Sequence, residues 1–256
     1  MRAVGSLWWR EIIRFLRQRS RVTGALAQPV VFWLLLGGGL SGSFRPSGGL
    51  TYLQYLYPGI LVLVLLFTAI FATIAVVEDR RAGFLQGVLV APIGRTAIVL
   101  GQSLGSTTLA VLQGALVLVL APFAGLHVGV GSALAAIVIM AVVAFALTNL
   151  GLIIAWRMES TQGFHAIMNL VLMPIWLLSG AFFPLDSAAP ALGWVMRLDP
   201  LTYGLAALRR CLAPDAVGIP ALVPSLGVTV LFALVSLAAA VATARRSGTL
   251  GRVTPA

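Results

Sequence analysis

Residues 55–77 read YLYPGILVLVLLFTAIFATIAVV, twenty-three consecutive positions without a charge. About 20 such residues, wound as a helix, cross the roughly 30 Å hydrocarbon core of a bilayer. This run therefore sets the fold class. Working outward, comparable runs lie at Gly24 to Leu40, Ile98 to Phe123, Gly129 to Trp156, Phe164 to Phe183 and Ile219 to Ala244. The first is the shortest, and Gln28-Pro29 and Gly37-Gly38-Gly39 interrupt it. Composition points the same way: of 256 residues, 60% are apolar and 9% charged, against about 25% charged in an average soluble domain. The expectation is an all-α polytopic membrane protein, with six transmembrane helices in one domain over residues 1–256.

All 17 basic residues are arginine; lysine is absent. This excludes a phosphate-binding loop of the G-x-x-x-x-G-K-[ST] kind and any Schiff-base or PLP chemistry. Nucleotide energy, if the chain uses it, has to come from another chain. Six spans put both termini on one side. That side holds Arg2, Arg10, Arg14, Arg17, Arg19 and Arg21 on the N-terminal arm (1–23), and Arg80, Arg81 and Arg95 on the 78–97 loop. It also holds Arg157, and Arg245, Arg246 and Arg252 on the 245–256 tail. The other side holds Arg45, Arg197, Arg209 and Arg210. The positive-inside rule places both termini in the cytoplasm. The net charge of +10 then reflects topology and attraction to anionic membrane lipids, not nucleic acid. Arginines spread over 21 residues do not make the short n-region of a cleavable signal peptide. A single Cys211, two His and seven acids argue against an intrachain disulfide or a metal site.

On the arm, residues 6–22 have helical amphipathicity. Arg10, Arg14, Arg17 and Arg21 fall within about 60° of one another, opposite Trp8, Trp9, Ile12, Phe15 and Leu16. Arg19 falls in the apolar arc, so the helix is expected to bend or end there. Such a helix lies in the headgroup plane, as a topology anchor, a mechanical element, or both.

The loop after the second run reads Glu78-Asp79-Arg80-Arg81-Ala82-Gly83-Phe84-Leu85-Gln86-Gly87-Val88-Leu89-Val90-Ala91-Pro92-Ile93-Gly94-Arg95. It is far longer than a minimal connection. Phe84, Leu85, Val88 and Leu89 share one face of a short helix, and Pro92 and Gly94 turn the chain back. That apolar face asks for a partner surface or for lipid.

Residues 184–218 are too apolar for a solvated loop. Ser187 is a candidate N-cap for a short helix through Ala189 to Arg197, with Pro190 in its first turn. Asp199-Pro200 starts a second helix running to about Cys211. Leu201, Leu205 and Leu208 share one of its faces, and Pro214 ends it. The pair reads as re-entrant helices, with an ordinary surface loop as the alternative. Asp186 and Asp199 face possible partners in Arg197, Arg209 and Arg210, with the pairing open.

Within the spans, Gln28, Gln113, Asn149, His165 and Asn169 stand out, followed by Thr68, Thr73, Thr107 and Thr108. Asn149, His165 and Asn169 are the candidates to line a central pathway; the alternative is interhelical hydrogen bonding, worth about 0.6–2 kcal/mol each. Pro174 should kink the fifth span, and Gly101, Gly105, Gly114 and Gly151 permit close helix approach. No catalytic residue emerges. Ser179 and His165 share one span fourteen residues apart, about 21 Å along a helix, too far for a dyad within one chain. An ion-coupled carrier would carry acids inside its spans, and here all lie in or beside loops. A lining poor in charge suits an amphiphilic cargo better than an ion. A non-transporting assembly subunit remains an alternative.

Two stretches carry a family resemblance. Glu78 to Arg81, Gly83, Leu85, Leu89, Pro92 and Arg95 resemble the first cytoplasmic loop of the ABC-2 type transport permeases: acidic and arginine cluster, Gly, apolar helix, then Leu/Val-x-x-Pro-x-x-Arg. Gln86 departs, since many relatives carry an acid there. Leu178-Ser179-Gly180-Ala181-Phe182-Phe183-Pro184-Leu185, Pro190, Leu192, Asp199-Pro200-Leu201-Thr202-Tyr203 and Arg209 resemble the C-terminal signature of that family. The resemblance covers nearly the whole chain and is nearest to drug-resistance and nodulation-type exporters. It implies a permease of the bacterial inner membrane that works as a homodimer. Each copy docks its 78–97 loop into an ATP-binding subunit, two copies of which hold ATP and Mg; no cofactor sits on this chain. It implies that Phe84, Leu85, Val88 and Leu89 form the packing face, with Glu78, Asp79, Arg80, Arg81 and Arg95 as its polar rim. The helices around Pro184 to Arg209 would narrow the outward exit.

Overall fold

The computed structural model describes residues 2–40, 49–83, 94–185, 188–214 and 220–247. They are helical, with no strand among them. The order is α1 (Arg2–Arg17), α2 (Arg19–Gly39), α3 (Tyr52–Arg81), α4 (Arg95–Leu118), a 3-10 turn (Ala121–Ala124) and α5 (Val130–Ala155). There follow α6 (Thr161–Trp176), a π-helical turn (Leu177–Ala181), α7 (Pro190–Leu198), α8 (Pro200–Leu212) and α9 (Leu222–Ser247). The helix expected at 84–89 lies outside the described residues, as do Asp186 and Ser187.

The chain breaks between α1 and α2 at Gln18, whose φ of −94° and ψ of 76° leave the helical region. This is one residue from the position where Arg19 spoils the apolar arc. A capping box starts α3: Thr51 Oγ1 accepts from Gln54 N–H, and Gln54 Oε1 accepts from Thr51 N–H. From Tyr55 to Ile70 the side chains of α3 are buried on every face, because α2, α4, α5, α6 and α8 all pack against it. A helix apolar all round belongs in such a position.

Among the described residues, five helical stretches are long and apolar enough to cross a membrane: Val22–Gly39, Tyr52–Arg81, Val130–Ala155, Thr161–Ala181 and Leu222–Arg246. The sequence suggests six, and the difference is α4. Its 24 residues include Gln102, Ser103, Ser106, Thr107 and Gln113, which dilute its hydropathy. These five are buried against neighbouring helices, whereas Leu104, Leu112 and Leu116 are exposed. Interhelical contacts, not lipid, set much of α4's composition.

The interior is stitched by polar contacts between spans. Thr68 Oγ1 donates to Gln113 Oε1 at 2.7 Å, and Ser103 Oγ donates to Asn149 Oδ1 at 2.8 Å. Trp176 Nε1 donates to the Gly59 carbonyl at 2.8 Å. Pro174 offers α6 no N–H, and the ladder slips into the π-helical turn just beyond it. That turn contains Gly180 at φ +86°, a conformation that a side chain would strain. The N-cap of α7 is Ala189, with Pro190 as its first residue; the cap expected of Ser187 falls outside the described residues. The α8 start follows the sequence signal: Asp199 Oδ1 accepts from Leu201 N–H at 2.9 Å, and Pro200 follows.

Arm and bundle meet along α4. Trp8 Nε1 donates to Thr108 Oγ1 at 3.0 Å, and Ile12 and Phe15 pack with Ala72 and Leu109. The approach is close because Gly101 and Gly105 face Leu7 and Glu11. A Cβ on Gly105 would lie 2.8 Å from Glu11 Cβ and 3.2 Å from the Trp8 carbonyl oxygen. Gly105→Leu is therefore expected to lift α1 and cost about 1–3 kcal/mol, seen as a lower Tm in detergent and altered Trp8 fluorescence. Leu104→Ala, at an exposed position, should be near neutral; equal behaviour of the two variants would refute this packing.

Candidate functional site

Three of the described acids gather where α3 ends. Asp79, 5% exposed, receives Arg10 Nη2 through both carboxylate oxygens at 2.9 and 3.0 Å. It also receives Arg14 Nη1 at 2.7 Å. Arg14 Nη2 reaches Glu78 at 2.8 Å, and its Nη1 reaches the Ala75 carbonyl at 3.4 Å. Arg10 Nη1 touches the buried Glu11 at 3.3 Å. Two guanidiniums of α1 are thus spent on α3. The expected basic stripe divides: Arg10 and Arg14 turn inward, and Arg17 stays exposed. The apolar arc divides as well, with Ile12 and Phe15 buried, Trp8 partly so, and Trp9 and Leu16 more than half exposed. Arg21 lies in α2.

The helix ends that flank the next loop are both tied to other helices. Arg80 Nη2 donates to the Trp156 carbonyl at 2.6 Å and Nη1 to that of Met158 at 3.4 Å, with its guanidinium 5.8 Å from the Trp156 ring. It thereby caps the C-terminus of α5, whose last carbonyls have no partner within the helix. Arg95 Nη1 donates to the Ala244 and Arg245 carbonyls at 2.8 and 3.0 Å, which caps α9. Arg81 and Gly83 are exposed where α3 ends. Phe84, Leu85, Val88, Leu89 and Pro92 lie between these ties, outside the described residues.

At the other end of α3, Arg209 is 3% exposed. Its Nη2 donates to the Gly180 carbonyl at 3.0 Å and to that of Tyr55 at 3.3 Å, and its guanidinium lies 4.1 Å from the Tyr55 ring. Tyr55 Oη donates to the same Gly180 carbonyl at 2.7 Å. Burial pulls the Arg209 guanidinium below its ordinary value, while Tyr55 favours the charge. Carbonyls and a ring, not Asp199, balance Arg209. Asp199 instead caps α8, and burial raises its carboxyl from 3.8 to about 7, opposed by the Leu201 N–H. Tyr203 Oη donates to the Arg197 carbonyl at 2.9 Å, and Arg210 Nε to that of Pro220 at 2.8 Å. Pro184 is half-buried beyond the π-helical turn.

Between α2, α3 and α6 opens a cleft of about 460 Å³, lined by Gln28, Phe67, Ile70, Phe71, His165, Asn169 and Met173. The His165 ring stands edge-on to Phe71 with centroids 5.9 Å apart. Of the three pathway candidates, His165 and Asn169 line this cleft. Asn149 does not: it is fully buried between α4 and α5, accepting from Ser103 and donating to the Phe145 carbonyl. Ser179 Oγ donates to the Trp176 carbonyl. Sequence reading missed Phe67, Phe71, Glu11 and Tyr55. Phe67 and Phe71 are four residues apart, a spacing that places them on one helix face, but the surrounding run is apolar on every face and hides that signal. Nothing local links Tyr55 to Arg209.

A helical bundle with several helices long and apolar enough to cross a bilayer defines a multi-pass membrane protein. Residues 2–212 match the family model of the ABC-2 type transporter, and the chain belongs to that family. It is 28% identical over 207 residues to Nodulation protein J of Rhizobium leguminosarum bv. trifolii, covering 80% of this chain and 79% of that protein. It is 26% identical over 232 residues to Nodulation protein J of Neorhizobium galegae, covering 89% and 86%. With the ycf38 transport permease of Cyanophora paradoxa it shares 26% over 205 residues, covering 78% and 70%.

Two measurements test this site. A double-mutant cycle on Arg14→Gln and Asp79→Asn should return a coupling energy of about 0.5–3 kcal/mol in unfolding experiments; additive losses would dissolve the ion pair. Asp199 holds its proton more tightly when folded, so stability should fall as pH rises from about 4 to about 7. Asp199→Asn should flatten that slope in detergent melts, and an unchanged slope would assign it to another group.

Proposed function

We propose that the chain is the permease subunit of an ATP-driven exporter. The loop at 84–93 grips a separate ATP-binding subunit, which holds ATP and Mg, and the arginine-rich end of the bundle faces the cytoplasm. Two copies of the permease enclose one pathway between two ATP-binding subunits. The observation that carries this reading is the tethering around the loop. Glu78 and Asp79 tie the end of α3 to α1, Arg80 ties it to α5, and Arg95 ties the start of α4 to α9. A partner pressing on a loop held this way displaces several helices together, because packed elements shift as units and do not deform continuously. Family membership and the lack of a lysine for a phosphate-binding loop both support a borrowed motor.

The cleft suggests the cargo. Phe67, Phe71, Ile70 and Met173 offer an apolar and aromatic wall, and Gln28, Asn169 and His165 offer neutral hydrogen-bonding groups. Without a formal charge from Asp, Glu or Arg in that lining, the site fits an amphiphile: a hydrophobic drug, natural product, lipid or lipid-linked glycan. Gln28 and Asn169 are exposed, and apposition of a second copy would cover them.

The test is co-purification with a P-loop ATPase and measurement of cargo-stimulated ATP hydrolysis in vesicles. Leu85→Asp or Leu89→Asp should abolish the association. Phe71→Ala and His165→Ala should keep it but raise the half-stimulating cargo concentration severalfold. Undiminished assembly of both aspartate variants would sink the docking role, and uphill transport by the chain alone would sink the whole reading.

A further inference from the structure

A second concavity lies along α9. It has a volume of about 530 Å³ and is lined by Thr96 of α4 and by Leu234, Leu237, Ala238, Val241, Ala242, Arg245 and Arg246 of α9. We infer that this groove binds an anionic phospholipid, with the phosphate held at the arginine end and an acyl chain lying along α9.

Three features converge on that ligand. The floor is continuous and apolar. From Leu234 to Arg245 it runs about 16 Å along a helix of 1.5 Å rise, half of a roughly 30 Å hydrocarbon core and so the reach of one leaflet. The mouth is cationic. Arg245 Nη2 donates to Thr96 Oγ1 at 3.2 Å, which holds its guanidinium across the groove, and Arg246 follows it. Arg95, fixed on the Ala244 and Arg245 carbonyls, adds a third positive charge beside them. Finally, the mouth lies at the N-terminus of α4, the positive end of the helix dipole, which favours an anion. Basic pockets between membrane helices are where anionic headgroups are selected over zwitterionic ones. A partner approaching from water reaches only the mouth, leaving the exposed Leu234 and its neighbours to a hydrocarbon chain.

This site stands apart from the cleft and does not rest on the exporter reading, nor on the orientation of the chain. Native mass spectrometry of the full-length chain, purified in detergent and equilibrated with equal phosphatidylglycerol and phosphatidylethanolamine, tests it. The wild type should retain phosphatidylglycerol preferentially. Arg245→Gln with Arg246→Gln should cut that retention at least fivefold. Ala238→Trp, which fills the groove and leaves every charge in place, should do the same. Arg17→Gln, an exposed arginine on α1, should retain the lipid as the wild type does. Retention by either groove variant, or equal loss in Arg17→Gln, would overturn the site in favour of unspecific charge attraction. Loss of a dimer in the groove variants with unchanged lipid retention would overturn it in favour of a contact between copies.

Discussion

Asp79 sits at the end of a helix that is enclosed by protein for most of its length, and it is bonded to two arginines from a different helix. That interaction organises the arginine-rich end of the molecule. A buried carboxylate without partners is expensive, and removing one partner of such a cluster leaves an uncompensated charge. The arm therefore cannot swing away from α3 without exposing Asp79 and Glu78 to loss of their counter-ions. Gly101 and Gly105 serve the same end, since only a glycine surface on α4 lets Leu7 and Glu11 come close enough for Arg10 and Arg14 to reach. In the fold the amphipathic arm is packed along α4 and pinned ionically to α3.

The far end of α3 solves a different problem. The π-helical turn after Pro174 frees backbone carbonyls in an apolar setting, where each one left unmet is costly. Arg209 and Tyr55 both donate to the carbonyl of Gly180, so one orphaned acceptor organises α3, α6 and α8 around itself. The arginine is stabilised here by dipoles and a ring face, without a carboxylate. The two ends of α3 thus differ in kind: at one, charge meets charge and the structure is anchored to an arm; at the other, charge meets backbone and the structure is closed.

Between these ends the polar groups of the spans sort into two populations. Thr68, Ser103, Gln113 and Asn149 meet one another across helix pairs and are consumed by packing. Gln28, His165 and Asn169 gather instead on the one cleft flanked by α2, α3 and α6. The first set holds spans together where the hydrophobic effect offers no contrast with lipid, and the second puts neutral polar atoms on a cleft wall.

The sequence by itself determined the membrane class, the positions of most helices, the break beside Arg19 and the Asp199-Pro200 start of α8. Each of these depends on local physics: the length of an uncharged run, the periodicity of a helix, the chemistry of a cap. Only the tertiary structure decided which arginines turn inward, because Arg10 and Arg14 share a helical face with Arg17 and meet Glu78 and Asp79, acids some 65 residues away. It also decided that Asn149 is structural while His165 and Asn169 line a cleft, since an isolated polar residue in an apolar run looks the same in either place. Likewise, α4 is too polar for a helix facing lipid all round, and only its burial between α1, α3 and α5 explains why. Local pattern fixes what a helix is, and its neighbours, brought together by packing, fix what each of its faces is for.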